Sequence, residues 1–465
     1  MPLGTWLNSD DGMLNGKLAV PSNITRISRA IRSTSKEGIS QIVYYHHGVG
    51  SQGGILDRIG AGSVGEGLGD IVREAYSFLS NNYTPGDEIF LIGFSRGAYA
   101  VRAIAGMIGT VGLLTKKGLT YWPEIFQDVI HQKDKRYRPK EPDVPFRNKP
   151  RVGPAYREEL VKRRMTDLNV TVKAIGVFDT VGSLGLPRID LLTKIGLQRD
   201  QSKEMSFYDT KLGPGIENAF QALALDEHRT AFSPAVWEKP SGCHTRLRQV
   251  WFPGVHSNIG GGYDDQELSD ITLAWMMAQF NPYLDFYDDY IIEQWEDNQD
   301  YYRKERKKPR PWSFGKIYDS MAGIYSLGGG TTRTPGCYYA IDPDTGAPTD
   351  RPLQDTNEYV HPSVRTRIVL QGPGEEDKGP YEPESLADWR LVVGYPDGDR
   401  HGPEIYWKAK FRERNVTTRV LPECPLWGYE RRLLGMDRDM EREVMRPPPT
   451  TRRDRRSTMG PPLPP

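Results

Sequence analysis

The sequence predicts an α/β protein, a mostly parallel sheet flanked by helices, with a helical or irregular lid insertion and a C-terminal cap. Three observations predict it. Residues 1–285 alternate strand-like and helix-like segments, the pattern of parallel strands joined by helical crossovers. Two segments, "EIFLIGF" (Glu88–Phe94) and "VTVKAIGVF" (Val170–Phe178), are apolar without alternation, as strands covered on both faces are. And at Gly93-Phe94-Ser95-Arg96-Gly97 a buried strand turns at once into a helix of small residues.

Taken in order, "PSNITRISRAIRS" (Pro21–Ser33) is an amphipathic helix capped by Ser22 or Asn23, with Ile24, Ile27 and Ile31 on one face. Gln41–Tyr45 reads as a short strand, and Gly67–Asn82 as a helix with Leu68, Ile71, Val72, Ala75, Phe78 and Leu79 turned inward. The turn Thr84-Pro85-Gly86-Asp87 precedes the first apolar strand, and Tyr99–Leu114 is the helix that follows Ser95. Residues 116–165 are charged and proline-rich, an insertion of the kind that forms lids. Val170–Phe178 is a strand that ends in Asp179, and Gly215–Arg229 reads as a helix. Arg246–Pro253 is a strand leading into Gly254-Val255-His256-Ser257-Asn258, and Ser269–Gln279 is a helix. Beyond residue 285 the alternation fades. Tyr287–Trp312 reads as a helix that leaves through the basic run "RKERKKPRP", and Arg365–Leu370 as a strand; residues 286–445 form a cap. The tail 446–465 is basic, proline-rich and expected to be disordered.

Composition narrows the function. Lys plus Arg and Asp plus Glu are 61 each among 465 residues, so no global field argues for nucleic acid. Three dispersed cysteines make no disulfide framework. The start has no signal-peptide pattern, and the apolar stretch Ala103–Leu114 is shorter than the about 20 residues a bilayer needs, so a cytoplasmic protein is expected. The basic run is read as a solvated linker, with transient contact to anionic lipid headgroups as the alternative. Gly48–Gly53 and Gly60–Gly65 match G-x-G-x-x-G, yet neither opens a helix followed by an acid at a second strand end. With no phosphate-binding or metal-ligating spacing either, no cofactor and no metal are expected.

A serine at a sharp strand-to-helix turn is the nucleophile elbow of α/β-hydrolases, where Gly93 and Gly97 give strand and helix room to pass. Such a serine needs a base and an orienting acid, in chain order Ser, Asp or Glu, His, at later strand ends. Ser95, Asp179 and His256 satisfy that order, and His361 is the competing base. The Arg96 backbone N–H is one expected oxyanion donor; Gly4-Thr5-Trp6 and His47-Gly48-Val49 are both candidates for the second. The Arg96 guanidinium either holds an anionic group or pins the elbow.

The segments "GTW" (Gly4–Trp6), "PSNITRISRAI", "QIVYYHHGVG" (Gln41–Gly50), "PGDEIFLIGFSRGAYAVR" (Pro85–Arg102), "GVFDTVGSLG" (Gly176–Gly185), "ALALDEHRTAF" (Ala222–Phe232) and "WFPGVHSNIGGGY" (Trp251–Tyr263) together resemble α/β-hydrolases related to the catalytic domain of type VI secretion phospholipase effectors, a family common in fungi. The resemblance implies Ser95, Asp179 and His256 as a triad and hydrolysis of lipid esters, phospholipids first. In that family a strand ending in aspartate precedes the Gly-Thr-Trp; here only Met1-Pro2-Leu3 stands there, so the first core strand is expected to be missing and a sheet edge exposed. His46 stands where the family more often has glutamine. The expected function is a serine hydrolase of lipid esters. The alternatives are a carboxylesterase for soluble esters and a non-catalytic binding protein on a hydrolase fold.

Overall fold

The computed structural model describes residues 2–3, 13–14, 17–18, 20–46, 64–181, 211–321, 329–342, 348–394, 404–411 and 416–446. Six strands build its central sheet: β1 (Pro2–Leu3), β2 (Ile89–Phe94), β3 (Val172–Phe178), β4 (Ile216–Ala224), β5 (Arg246–Phe252) and β6 (Glu358–Val360). They lie side by side in chain order, and every neighbouring pair is parallel. All the strands therefore end on one edge, where loops of widely separated sequence meet.

The unbroken apolar runs follow from burial on both faces. Leu91, Ile175 and Val177 point into a cluster with helices α2 (Val64–Asn82), α3 (Arg96–Val111), α4 (Trp122–Ile130) and α5 (Pro154–Lys162). Their neighbours Ile92, Ala174 and Phe178 point the opposite way. They join α1 (Asn23–Ala30) and, later in the chain, α7 (Glu267–Phe280), α8 (Tyr290–Lys304) and α9 (Pro362–Val369). Each fully buried aliphatic or aromatic side chain contributes roughly 1.5–3 kcal/mol, so the two layers carry the sheet. Ser22 caps α1 by accepting from Thr25 N–H, as the sequence reading allows. The helices of the 116–165 segment pack Trp122, Ile125, Phe126, Tyr156 and Leu160 against the α2–α3 layer.

Five expectations are corrected. The segment read as a helix over 215–229 is strand β4, whose residues are buried except Glu217. Its Ala, Gln and Leu favour helix in isolation, but pairing with β3 and β5 on either side outweighs propensity. Arg365–Leu370 is not a strand but lies mostly in α9, which starts with Pro362 at its first turn and His361 as cap. Gln41–Tyr45 forms no strand among the described residues. The first sheet position, expected to be vacant, is held by β1, whose Pro2 and Leu3 pair with Ile92 and Gly93. The sheet also runs past the expected boundary at 285, since β6 lies beside β5.

Candidate active site

Ser95 sits between β2 and α3 with φ 57° and ψ −120°, outside the basins that L-residues prefer. It occupies the N-cap position, where a serine hydroxyl ordinarily accepts from the first helical N–H groups, yet its side chain makes no capping bond. Its backbone is fixed instead: Ser95 N–H donates to Phe178 C=O at 3.1 Å, and Ser95 C=O accepts from Tyr99 N–H at 3.2 Å. The elbow's closeness falls on Gly93. A Cβ there would lie 2.5 Å from Gly97 O and 2.7 Å from the Ala98 backbone. Arg96, buried, is the first residue of α3, so its backbone lies at the positive end of the helix dipole. Gly4, Thr5 and the segment His47-Gly48-Val49, the candidates for the second oxyanion donor, lie outside the described residues.

The packing at Gly93 gives a direct test. Gly93→Ala is expected to cost about 3 kcal/mol, because the clash is with backbone that cannot rotate away. Gly106→Ala, on the same helix with open space beyond its Cβ, is expected to gain about 0.5–1 kcal/mol. Urea denaturation midpoints of the two variants decide it.

Asp179 follows β3 directly, is fully buried, and has φ 40°. Its Oδ2 lies 2.6 Å from His256 Nδ1, and its Oδ1 accepts from Ala224 N–H at 3.0 Å. Burial alone pushes this carboxyl up, but the Arg333 guanidinium and the His256 imidazole together hold it well below the usual carboxylate range. An ionised carboxylate only accepts, so the proton of the shared bond belongs to Nδ1, and Nε2 carries the lone pair. Burial lowers the His256 pKa, Asp179 opposing and Arg229 assisting, so the ring is neutral at neutral pH. Its Nε2 is buried and has no hydrogen-bond partner among the described residues.

The imidazole is held on two sides. The ring of Phe94, the residue before Ser95, stacks obliquely on it at 4.6 Å, and Phe232 meets it edge-on at 4.8 Å. His256 opens the short helix α6 (His256–Gly260). A Cβ at Gly260 would fall 2.1 Å from the Phe94 ring, so that glycine lets the elbow strand and the histidine turn meet.

Two further carboxylates, which the sequence reading does not single out as site residues, tie down this turn. Gly254 N–H donates to Asp226 Oδ2 at 2.6 Å, and His256 N–H donates to Glu227 Oε2 at 3.2 Å. Glu227 in turn receives Arg229 Nε and Nη2. Despite burial, Arg229 keeps Glu227 below its ordinary pKa, whereas burial pushes Asp226 up to about 6. Both follow β4; recognising "ALALDEH" as a strand would put them on the site edge. Arg333 is missed altogether and carries no sequence signal.

The competing base, His361, is placed elsewhere. Its Nδ1 accepts from Ser363 N–H, its Nε2 lies 2.8 Å from Glu430 Oε1, and its ring stacks on Phe252. Both nitrogens are engaged, so it caps α9 rather than facing Ser95. His46 pairs with Glu74. Among the described residues no cluster of three His, Cys, Asp or Glu side chains is arranged to hold a metal, and no helix is long and apolar enough to cross a membrane.

A parallel sheet between two helical layers, a strained serine at a strand-to-helix turn and a buried His–Asp pair at the same sheet edge define an α/β-hydrolase-like protein. More narrowly, residues 4–279 match the family model "T6SS, Phospholipase effector Tle1-like, catalytic domain", and the chain belongs to that family. That model is named for a phospholipase catalytic domain. A Saccharomyces cerevisiae protein, "Uncharacterized protein YEL023C", is 30% identical over 209 residues. The match covers 41% of this chain and 26% of the yeast protein, so the chain spans about a quarter of that relative.

Proposed function

We propose that this protein is a serine hydrolase of lipid esters, with phospholipids as the substrate class. The observation that carries the reading is the buried His256–Asp179 bond of 2.6 Å with Nε2 unpartnered, at the edge where Ser95 turns. In this mechanism Ser95 Oγ attacks the acyl carbonyl carbon while His256 Nε2 takes the hydroxyl proton. Asp179 orients the ring and offsets the imidazolium charge. The Arg96 N–H, at the start of α3, donates to the developing oxyanion. The tetrahedral adduct collapses as His256 returns the proton to the leaving alcohol. Water, deprotonated by the same nitrogen, then hydrolyses the acyl-serine, and the fatty acid leaves.

The test measures fatty-acid release from phosphatidylcholine vesicles beside an ester series of rising chain length. The expected result is a rate that jumps once substrate aggregates, together with covalent labelling by a fluorophosphonate probe. Labelling with activity confined to monomeric short esters would assign a soluble-ester carboxylesterase. A folded protein that neither labels nor hydrolyses either substrate overturns the enzyme reading in favour of a binding protein.

A further inference from the structure

We propose that Arg333, from the region beyond the family-matched core, is a positioning residue for the Asp179–His256 pair, holding both carboxylate oxygens in a guanidinium fork. The proposal rests on the catalytic reading above. Arg333 is 2% exposed, and its guanidinium forks over both carboxylate oxygens: Nη1 to Oδ1 at 2.5 Å and Nη2 to Oδ2 at 2.9 Å. The same two nitrogens donate to Ala224 C=O and Phe232 C=O, each at 2.8 Å. These are the end of β4 and the residue whose ring abuts His256. One side chain thus ties the acid, a strand end and an aromatic wall of the imidazole into one rigid unit.

The arm that carries it is itself anchored. Gly330 bridges antiparallel to Arg229, Thr331 N–H donates to His228 C=O at 2.8 Å, and Thr230 N–H donates to Gly329 C=O at 3.3 Å. The arm therefore lies along the loop after β4, and the fork on Asp179 is delivered by backbone pairing rather than by a floating side chain.

The chemistry requires this fork to do two things. A bidentate guanidinium fixes the plane of the carboxylate, and with it the direction in which Oδ2 accepts from Nδ1–H. Its positive charge, bonded to the same carboxylate, also works against a second positive charge on the ring. The charged groups that face the imidazole are Asp179, Glu227 and Arg229; Arg333 reaches it through Asp179 and is itself faced by Glu227 and the Tyr338 hydroxyl. Arg333 is the cation that bonds Asp179 directly, beside the neutral ring. Removing it leaves Asp179 and Glu227 opposed by Arg229 alone, which favours the protonated ring.

The experiment is the pH profile of kcat/KM for the full-length protein with a soluble short-chain ester, alongside fluorophosphonate labelling rates. Wild type is expected to show an acid limb below pH 6.5, the ordinary histidine value from which burial lowers His256. In Arg333→Gln the limb is expected to move up by about one pH unit, with kcat/KM at neutral pH down about tenfold or more. Arg333→Lys, which keeps the charge but loses the fork, is expected to keep the wild-type limb and lose rate only. If Arg333→Gln does not fold, the Lys variant still decides: a limb displaced as the charge is retained overturns the proposal. So does an Arg333→Gln enzyme that is slower at every pH with its limb unmoved, the signature of a merely structural role. Wild type that never labels, or labels equally in Ser95→Ala, fails the catalytic reading itself and is thereby distinguished from a failure at Arg333.

Discussion

Ser95→Ala is expected to lower ester hydrolysis by on the order of 10⁶-fold and to abolish fluorophosphonate labelling, with little change in thermal unfolding. The hydroxyl makes no capping bond, so nothing structural is lost with it. The backbone supplies a second, sharper variant. At φ 57° a side chain of any kind is strained, by about 1–3 kcal/mol, whereas glycine is not. Ser95→Gly is therefore expected to be equally inactive yet more stable than wild type by about 1 kcal/mol. Calorimetry on the three proteins checks the pair of outcomes. A Ser95→Gly protein less stable than Ser95→Ala would remove strain as the reason for the elbow's geometry.

Asp179→Asn is expected to reduce kcat by about 10⁴-fold, and the hydrogen bonds around the carboxylate say why. Every group aimed at it is a donor: Ala224 N–H and Arg333 Nη1 at Oδ1, His256 Nδ1 and Arg333 Nη2 at Oδ2. An amide has one accepting end. Placed toward Ala224 and Arg333, that end leaves the NH₂ facing His256, and the ring must then accept at Nδ1 and carry its proton on Nε2. The base is lost through the wrong tautomer rather than through distance. The substitution also strands a buried guanidinium, so a stability loss of about 3–5 kcal/mol accompanies it. Nitrogen-resolved NMR of the His256 ring, together with initial rates, checks both halves. An Asp179→Asn enzyme with near-normal kcat and Nδ1 still protonated would sink the argument.

What is legible in the sequence follows from where the forces are local. β2 and β3 are readable because strands buried on both faces need unbroken apolar runs, and β5 because its apolar end Val250-Trp251-Phe252 stops at Pro253-Gly254. Ser95, Asp179 and His256 can be named as candidates because each directly follows such a strand or the turn after it. β4 reads as a helix because Ala, Gln and Leu carry helix propensity, and only its neighbours in the sheet overrule it. His361 competes with His256 until partners distinguish them: Ser363 and Glu430 occupy one ring, while the other keeps Nε2 unpartnered. Arg333 is invisible in principle. It meets Asp179 across 154 positions of chain, within "TTRTPG", a stretch with no periodicity or motif to flag it.

The placement of that arginine and of β6 late in the chain orders events during synthesis. The ribosome delivers Ser95, Asp179 and His256 first, and for the next several dozen codons the nascent sheet has an open flank and a carboxylate without its guanidinium. Translation thus reaches the pieces that complete this sheet edge only after Ser95, Asp179 and His256 are already outside, so the edge is finished only once the later segment has docked.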